Sequence, residues 1–562
     1  MPTKITVLVN VSASNSFAEA VKEIKEEYGE IIDPRLYYVH EVSEELVDEN
    51  ALKEDLRTSD IVLLDLRGRS RSFDLALEAL SGKKNTVITL VGGSTEVMSL
   101  TRMGSFSPAK MFERQKSSSK EYVDWKKIQS IQSMIEKMGT VLPFGSLKHA
   151  KNWVRAMNYW KYSGRRNIKN LLLFVTKEYG GQKVEPEPPV EFPDNGIYYP
   201  KLDRFYTSLD DYLKENFDPG KPTVGVLFYG GMHFESSVVG ADALIKRLEP
   251  TVNVIPVFSD GVDNLSAIRK FFFKNGKPVI DAAVSFVWFR INGGPLGGKP
   301  QQTFELVREL DIPFFDVAPM YMREVEKWKT STQGFSPIEV VAAVTLPELD
   351  GLIEPIPSLG LKDLEYSDTL GADVKSTVAI DDRIERIASR ILKWLDLRRK
   401  KNSEKKIAII LYNYPPGEDS IGNAAYLDVF KSLERILERL KAENYNVDNS
   451  EQAETKELFL SQGLVNSGKW SPKKLTFQNA IIVSSEKYQE WFKELSEDMR
   501  KEVVQEWGEP PGSVMSYNGN LLIPGIKLGN VFVGLQPSRG VHENPEKAYH
   551  DKNLPPHHQG TK

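Results

Sequence analysis

Short runs of apolar, β-branched residues alternate with amphipathic segments along most of this 562-residue chain. The runs at 4–11 and 61–66 have the length and composition of buried strands, whereas the apolar spacing over 17–27 is that of a helix. The same alternation returns at 223–317 and again after residue 405. Strands that are buried on both faces and separated by helices are typical of parallel sheets. We therefore predict a multidomain α/β protein, in which several doubly wound, Rossmann-like parallel-sheet units are joined by helical segments.

Composition indicates where these units begin and end. A Pro-rich stretch at 186–196 and a charged helical pattern at 381–399 interrupt the alternation of strands and helices. We predict five segments in chain order. They are an α/β domain at 1–145, a helical and Pro-rich connector at 146–220, a second α/β domain at 221–360, a helical linker at 361–404 and a third α/β unit at 405–562.

The composition also argues against several classes of function. Basic and acidic residues number 73 and 78, so the chain lacks the positive charge that is typical of nucleic-acid-binding proteins. It contains no cysteine, which excludes disulfides, Fe–S clusters and thiolate metal sites. No stretch approaches the roughly 18 apolar residues of a membrane span, and the first residues lack the pattern of a secretory leader. We therefore expect no nucleic-acid partner, no membrane span and a cytoplasmic location.

The short motifs that bind nucleotides are missing from the sequence. There is no G-x-x-x-x-G-K-S/T segment, and the glycines at 293–298 do not have the G-x-G-x-x-G spacing. A nucleophile elbow, G-x-S-x-G, is missing as well. We therefore predict that this chain neither hydrolyses ATP by itself nor binds NAD in the usual manner.

Glycines follow several of the predicted strands. Ligands bind open parallel sheets at the carboxyl ends of the strands, and glycines there let a ligand approach the backbone closely. The loop at 290–298 is the richest of these segments, and Asn292, Gly293 and Gly294 are its candidate substrate-binding residues. The alternative is that these glycines serve only as turn residues.

A second candidate loop follows the strand predicted at 406–412. It begins with Asn413 and continues through a Pro-Pro pair to Asn423, where a helical pattern starts. The amino end of a helix favours anionic and polar groups, so this loop could bind a ligand with acidic or amide side chains. The alternative is an ordinary helix cap. The basic run at 67–72 is either a solvated loop or one that binds carboxylates or a partner.

Four ordered blocks of sequence resemble one protein family. They are PELDGLIEPI at 347–356, LYNYPPGEDSIGNAAYLDVFKSL at 411–433, WGEPPGS at 507–513 and LGNVFVGLQPSRG at 528–540. All four are similar to segments of the large subunit of cobaltochelatase and magnesium chelatase. The resemblance implies a subunit that binds a tetrapyrrole substrate for metal insertion, which is a ligase-type reaction. It also implies AAA+ ATPase partner subunits that bind Mg-ATP, in agreement with the missing P-loop.

The segment at 544–558, NPEKAYHDKNLPPHH, is more similar to the cobaltochelatase branch. We therefore expect Co²⁺ and a corrin precursor of cobalamin as the substrates, with Mg²⁺ and protoporphyrin IX as the alternative. Chains of this family normally continue through an H-x-G-x-H-G-x-x-E motif, which this sequence lacks. We expect the third unit to stop at the start of the catalytic region, with a C-terminal catalytic half supplied by a separate chain. The alternative is a fragment that binds the tetrapyrrole without catalysing insertion.

Metal insertion requires groups that accept the pyrrole protons and bind the metal transiently. Within this chain, His550, His557 and His558 are the candidate catalytic residues, since imidazole can act as a general base. His557 and His558, with Asp551, are also the candidate metal ligands. The alternative is that this His-rich end is a disordered or purification-related tail.

Gln536 and Arg539 are further candidate contacts to the carboxylates or amides of the macrocycle, because arginine can bind a carboxylate in a bidentate manner. Two other classes of protein share the alternation of strands and helices. One is a binding module whose α/β lobes close on a small ligand without catalysis. The other is a glycosyltransferase-like or other Rossmann enzyme, which the lack of a nucleotide signature disfavours.

Overall fold

The computed structural model describes residues 1–10, 14–67, 69–92, 95–109, 145–200, 204–261, 263–292, 300–413, 422, 424–448, 457–458, 481–512 and 515–536. The chain divides into two compact units, Met1–Leu395 and Asp396–Lys562. No helix among the described residues is both long and apolar enough to cross a membrane.

The first unit begins with a four-stranded parallel sheet in the order β2-β1-β3-β4. Its strands are β1 (Thr3–Val9), β2 (Ile32–Tyr38), β3 (Ile61–Leu66) and β4 (Thr86–Gly92). The accompanying helices are α1 (Asn15–Tyr28), α2 (Val39–Ser43), α3 (Glu49–Thr58), α4 (Arg71–Leu80) and α5 (Thr95–Met98). Alternate residues of β3 point into two different cores, one shared with α1 and the other with α3 and α4. All of β3 is therefore buried, as its apolar sequence predicts.

Two long helices follow this sheet, α6 (Ser146–Tyr162) and α7 (Gly164–Tyr179). They complete one face of the first core, to which α6 contributes Trp153 and Trp160. The indole Nε1 of Trp153 donates to the backbone oxygen of Thr89 at 2.9 Å, which anchors α6 on β4. A further helix, α8 (Leu209–Asn216), precedes the second sheet's central strand.

The second sheet has six strands in the order β12-β11-β7-β8-β5-β6. They are β5 (Asn195–Tyr199), β6 (Arg204–Tyr206), β7 (Thr223–Tyr229), β8 (Asn253–Ser259), β11 (Ala282–Ser285) and β12 (Phe314–Asp316). A separate small hairpin, formed by β9 (Phe273–Lys274) and β10 (Lys277–Pro278), lies between β8 and β11 in the chain. The four strands from β12 to β8 are parallel, whereas β5 and β6 pair antiparallel at one edge. The segment 146–220, predicted as a helical and Pro-rich connector, thus also supplies two strands. They were missed because both are short and follow a Pro-rich stretch.

The helices that accompany the second sheet are α9 (Phe234–Leu248), α10 (Asn264–Phe272) and α11 (Pro300–Leu310). Three short helices follow β12: α12 (Val325–Thr330), α13 (Pro337–Val340) and α14 (Leu346–Leu349), with a π-helical turn at Val341–Thr345 between the last two. The long helix predicted at 381–399 is present as α15 (Asp381–Arg399), and its buried side chains pack in the core of the second sheet.

An antiparallel hairpin, β13 (Leu359–Ser367) and β14 (Ala372–Ala379), joins the two sheets of the first unit. The helical linker predicted at 361–404 is therefore wrong over its first part, where the chain forms this hairpin. Backbone amides of Ser14 and Leu36 donate to the hairpin at 2.7 and 2.9 Å, and Met320 donates to it at 3.0 Å from beyond β12. The hairpin is therefore held by partners that are distant in sequence, which a local pattern does not encode.

The second unit contains two small sheets with the orders β15-β20-β19 and β16-β18-β17. Their strands are β15 (Ile407–Leu411), β16 (Ile481–Val483), β17 (Ser516–Tyr517), β18 (Asn520–Ile523), β19 (Gly525–Leu528) and β20 (Val531–Leu535). The helices are α16 (Val429–Ala442), α17 (Ser485–Lys493) and α18 (Glu497–Trp507). The helix predicted from residue 424 begins at Val429, because Asp428 caps it by accepting from the Lys431 amide at 2.9 Å. The predicted α/β class with parallel-sheet units is confirmed.

Candidate functional site

The second sheet has a topological switch point between β7 and β11. The chain runs from β7 outward to β8 and then returns to place β11 and β12 on the other side of β7. Ligands of doubly wound sheets bind in the crevice that such a reversal leaves, outside the carboxyl ends of the strands. Groups that bind a ligand are therefore expected at this edge of the sheet.

The turn after β7 depends on two glycines. A Cβ atom on Gly230 would lie 3.0 Å from the ring of Phe258 and 3.3 Å from the backbone of Ser259, and Gly231 has a φ of +56°. Both positions therefore favour glycine for reasons of packing and backbone conformation. The turn carries the chain directly into Met232 and His233, at the start of α9.

Aromatic side chains line the same edge. The ring of Tyr321 lies 6.1 Å from that of Tyr229 and 5.6 Å from that of Trp288, measured between centroids. Tyr229 Oη donates to the backbone oxygen of Trp288 at 3.1 Å, and Tyr321 Oη donates to that of Phe286 at 2.8 Å. Burial raises the pKa of both tyrosines well above the usual range, so both remain neutral. They provide a fixed apolar surface beside the switch point.

The predicted glycine-rich loop leaves the sheet at this edge, and its first residues are held by buried polar groups. Asp350, which is fully buried, accepts from the backbone amide of Ile291 at 2.7 Å and from Arg290 Nε at 2.5 Å. Asn264 Nδ2 donates to the backbone oxygen of Ile291 at 3.0 Å. Asn292 follows directly and is half-buried. Gly293 and Gly294 lie outside the described residues.

The carboxyl edge of the first sheet meets the turn after β7. Asp65, at the end of β3, is fully buried and lies 3.4 Å from Arg67 Nε, and the indole Nε1 of Trp160 donates to it at 3.2 Å. Arg67 Nη2 donates to Met232 Sδ at 3.3 Å. Arg67, the first residue of the predicted basic run, thus forms an ion pair and contacts the turn after β7.

The imidazole of His233 lies in this cluster. Its ring centroid is 5.4 Å from that of Tyr229. Burial, together with the nearby positive charge of Arg67, lowers the pKa of His233 to about 3. The ring is therefore neutral at physiological pH and keeps an unprotonated nitrogen.

A second unusual acid lies at the end of β12. Asp316 is 2% exposed, and its Oδ1 accepts from the Ala318 amide at 3.1 Å, whereas Oδ2 has no hydrogen-bond partner among the described residues. Burial raises the pKa of Asp316 to about 8. This carboxyl group is therefore protonated at neutral pH.

The enclosed space between the two sheet edges is small. A cavity of about 40 Å³ there is lined in part by Ser16, Met232 and Glu235, and it has room for one or two water molecules only. A larger cavity, of about 250 Å³, lies at the opposite, amino-terminal edge of the second sheet. The polar atoms there are engaged with the backbone, as in the bonds from Asn253 Nδ2 to the Asp218 and Lys221 oxygens.

In the second unit, two predicted substrate-binding residues converge. Strands β15 and β20 are parallel neighbours, with Leu411 opposite Leu535, so Asn413 and Gln536 leave the sheet at the same edge. The Gln536 amide donates to the backbone oxygen of Leu411 at 2.8 Å. The side chain of Asn413 is 3% exposed, and neither its Oδ1 nor its Nδ2 has a hydrogen-bond partner among the described residues. Leaving a buried amide unpaired is costly.

The remaining predicted site residues lie outside the described part of the chain. They are Asn423, Arg539, His550, Asp551, His557 and His558. Among the described residues, no group of three or more His, Asp or Glu side chains could hold a metal ion. The predicted site residues did not include Asp65, His233, Asp316 or Asp350. Only His233 carried a usable signal, since it lies two residues after a glycine pair at a strand end.

Two family descriptions match the chain. Residues 157–560 match CobN/Magnesium Chelatase, and residues 4–154 match a domain of unknown function, DUF3479. The chain is 35% identical to the uncharacterized protein MJ0908 of Methanocaldococcus jannaschii, over 72% of this chain and 34% of that protein. It is 28% identical to the magnesium-chelatase subunit ChlH of Oryza sativa subsp. indica, over 99% of this chain and 41% of that subunit.

A third relative is the aerobic cobaltochelatase subunit CobN of Pseudomonas aeruginosa, which is 25% identical over 72% of this chain and 32% of that protein. The solved catalytic subunit of cobaltochelatase from Mycobacterium tuberculosis has the same fold, with a TM-score of 0.57 and 21% identity over 100% of this chain and 41% of that one. The chain thus spans less than half the length of these relatives. Because the first family description covers most of its residues, the chain belongs to the CobN/magnesium chelatase family.

Proposed function

We propose that this chain is the tetrapyrrole-binding part of the large subunit of an ATP-dependent chelatase, which inserts a divalent metal into the macrocycle. The observation that carries the proposal is the buried amide of Asn413, which has no partner among the described residues at the carboxyl edge of β15. Family membership supports the reaction class. In this proposal AAA+ partner subunits bind and hydrolyse ATP, and the metal is a substrate.

The chemistry of Asn413 favours one macrocycle over another. Its Oδ1 needs a donor and its Nδ2 needs an acceptor, and a carboxamide on the ligand supplies both. A carboxylate supplies only acceptors. We therefore propose a corrin precursor with carboxamide side chains as the substrate, and Co²⁺ as the metal.

Magnesium and protoporphyrin IX are the second candidate pair. The observation in their favour is that the rice magnesium-chelatase subunit aligns with 99% of this chain, whereas the CobN subunit aligns with 72%. The two proposals share the tetrapyrrole-binding role and differ in the metal and macrocycle.

Several parts of the proposal concern residues outside the described chain. His550, His557 and His558 remain the proposed proton acceptors, and His557, His558 and Asp551 the proposed transient metal ligands. We also propose that a C-terminal catalytic half, absent from this sequence, completes the site. Without it, this chain binds the macrocycle but inserts no metal.

The test is an absorbance titration of the chain with a metal-free, carboxamide-bearing corrin and, separately, with protoporphyrin IX. Asn413→Leu keeps the branched outline of the side chain but removes both hydrogen-bonding groups. We expect it to weaken binding of the preferred macrocycle about tenfold or more, as the loss of two buried hydrogen bonds predicts. Its stability should not fall, because the amide is unpaired in the free protein. Unchanged affinity for both macrocycles in Asn413→Leu would refute the assignment.

The matched control is Asn50→Leu, which makes the same substitution at an exposed position in α3. It should leave both titrations unchanged. To decide between the metals, the chain is combined with its ATPase partners and a catalytic half, and insertion of Co²⁺ and Mg²⁺ is measured with each macrocycle. Insertion of Mg²⁺ into protoporphyrin IX alone would favour the second candidate pair.

A further inference from the structure

The sheet β15-β20-β19 of the second unit is packed on one face only. Helix α16 covers that face, where its Leu433 and Leu437 share a core with Leu411 of β15 and Val531 of β20. Successive side chains of a strand point to opposite faces, so Ile410 lies on the other face, where it is 55% exposed. Parallel strands are normally buried on both faces. No second layer covers Ile410 within the described part of the chain.

The open face of this sheet is apolar. Phe532 of β20 lies on it, and its ring packs against two glycines of the sheet. An added Cβ would come within 2.6 Å of the ring at Gly525 and within 2.5 Å at Gly534. Gly534 is also the residue opposite Ile410 in the register of β15 and β20. Ile410 and Phe532 are therefore neighbouring parts of one apolar surface.

The outer edge of β15 is open as well. β15 pairs with β20 and has no second neighbour among the described strands. The Ile407 amide and the Leu411 carbonyl oxygen bond to residues that flank β20, at 3.0 and 2.8 Å. Backbone groups alternate in direction along a strand, so those of Ala408 and Ile410 point to the free edge. The strand, IAIIL, has none of the charges or prolines that protect edge strands from further pairing.

The second sheet shows what completes a unit of this kind. There β7 is followed by α9 and β8, and the chain then returns through α10 to place β11 on the other side of β7. Helices α9 and α10 belong to different cores, on opposite faces of the sheet, so β7 is buried along almost its whole length. β15, α16 and β20 are arranged like β7, α9 and β8. The counterparts of α10 and β11 do not occur among the residues that the structure describes.

Handedness determines where these counterparts belong. Connections between parallel strands of one sheet are right-handed in nearly all proteins. Helix α16 covers one face on the way from β15 to β20. A connection that returns to the free edge of β15 runs in the opposite direction, and it therefore places its helix on the other face. That face carries Ile410 and Phe532.

We propose that the C-terminal half of the large subunit docks here, with one strand pairing parallel to β15 along its free edge and one helix packing on Ile410 and Phe532. The inference rests on the proposed function, in which this half lies outside the present sequence. The chain spans 41% of the rice magnesium-chelatase subunit and 34% of MJ0908, so both relatives contain enough further chain to supply these elements. Docking also gives β15 a neighbour on each side, which places Asn413 at a switch point.

The test is co-expression of this chain, carrying an affinity tag, with the part of MJ0908 that lies outside its match to this chain. We expect the two polypeptides to purify together. Ile410→Glu places a charge in the proposed contact and should lower the amount of recovered partner about tenfold or more. Ala408→Pro removes an N–H group that points to the free edge, leaves the bonds to β20 in place, and should lower the recovery similarly.

The matched control is Ile482→Glu, which makes the same substitution in the same unit. Ile482 lies in β16, a strand of the other small sheet, and is 54% exposed. This variant should leave the recovery of the partner unchanged. Urea unfolding establishes that each variant is folded, and both glutamate variants should keep the midpoint of the unaltered chain because the replaced side chains are exposed.

Hydrogen exchange of the 406–412 segment gives a second readout. The amides of Ala408 and Ile410 should exchange readily in the chain alone and about tenfold or more slowly in the complex. If they are already protected in the chain alone, the chain itself occupies this edge and the inference is wrong. It is also overturned if the partner does not purify with the unaltered chain, or purifies equally well with Ile410→Glu and Ala408→Pro.

Absorbance titrations with the macrocycles test the proposed function separately. Macrocycle binding by a chain that recovers no partner leaves the proposed function intact and removes only the docking surface. Recovery of the partner by a chain that binds no macrocycle would instead contradict the proposed function.

Discussion

Replacing Asp350 tests whether buried polar groups hold the first residues of the glycine-rich loop in place. It is fully buried, accepts from the Ile291 amide at 2.7 Å, and pairs with the largely buried Arg290 at 2.5 Å. Asp350→Ala would leave a buried cation and a buried amide without their acceptor. Breaking a buried ion pair in this way typically costs about 3–5 kcal/mol. We expect a loss of unfolding free energy near the lower end of that range, about 3 kcal/mol, because Arg290 can partly reach solvent.

The measurement is urea unfolding followed by tryptophan fluorescence, for which nearby Trp288 is a suitable reporter. Asp350→Asn should cost less than Asp350→Ala, since its oxygen can still accept one of the two bonds. The control is Glu326→Ala, which breaks an exposed pair with Lys329 and should have no measurable effect. If Asp350→Ala unfolded at the same urea concentration as the unaltered protein, the argument that Asp350 fixes this loop would be wrong.

Two further predictions concern buried charges in the first unit. Lys375→Met should lower the free energy of unfolding by about 2–4 kcal/mol. The Lys375 ammonium lies 2.7 Å from Glu41 and 3.5 Å from Glu324, and the variant leaves both carboxylates without this buried cation. An unchanged midpoint in urea unfolding would contradict this. Asp316→Asn should stabilise the protein increasingly as the pH rises from 4 to 8. The pKa of Asp316 is about 8 in the folded state and lies near its usual value of 3.8 in the unfolded chain, so folding retains a proton over this range and stability falls as the pH rises. Asparagine does not titrate, so the variant lacks this pH dependence. If the unfolding free energies of the two proteins changed in parallel with pH, the prediction would be contradicted.

Periodicity was sufficient for the buried strands and long helices. The sequence of β3, IVLLDL, is apolar enough that only a strand covered on both faces accommodates it, and the helix at Asp381–Arg399 has a repeating apolar face. The β13–β14 hairpin was not predicted, because the sequence of β13 lacks such an apolar pattern. Residues 362–366 of β13 are exposed and mostly polar, so the strand does not resemble a core element. Two of the backbone bonds that hold it come from Ser14 and Leu36, more than 300 positions away in the sequence.

The candidate site was predicted in part. Glycines and amides at strand ends predict ligand sites at the carboxyl edges of the sheets, and this stays a prediction. The convergence of Asn413 with Gln536 at one such edge follows from the parallel pairing of β15 and β20. The role of Asp350 could not be predicted, because its partner Arg290 is 60 residues away and no local spacing relates them. The neutral state of His233 depends on burial and on Arg67, which is 166 residues away, so it also required the structure.

The hairpin that joins the two sheets also constrains the order in which the protein can be completed during synthesis. The amide of Ser14 donates to Lys375, and that of Leu36 donates to Leu370, so the first sheet receives some of its last partners from a segment made more than 330 residues later. On the ribosome, the amino-terminal strands therefore emerge long before the hairpin that covers them. Contacts at such separation slow folding and lengthen the exposure of unfinished surfaces. Nascent chains arrested before residue 359 should accordingly be more sensitive to protease in the first sheet than chains arrested after the second unit has emerged.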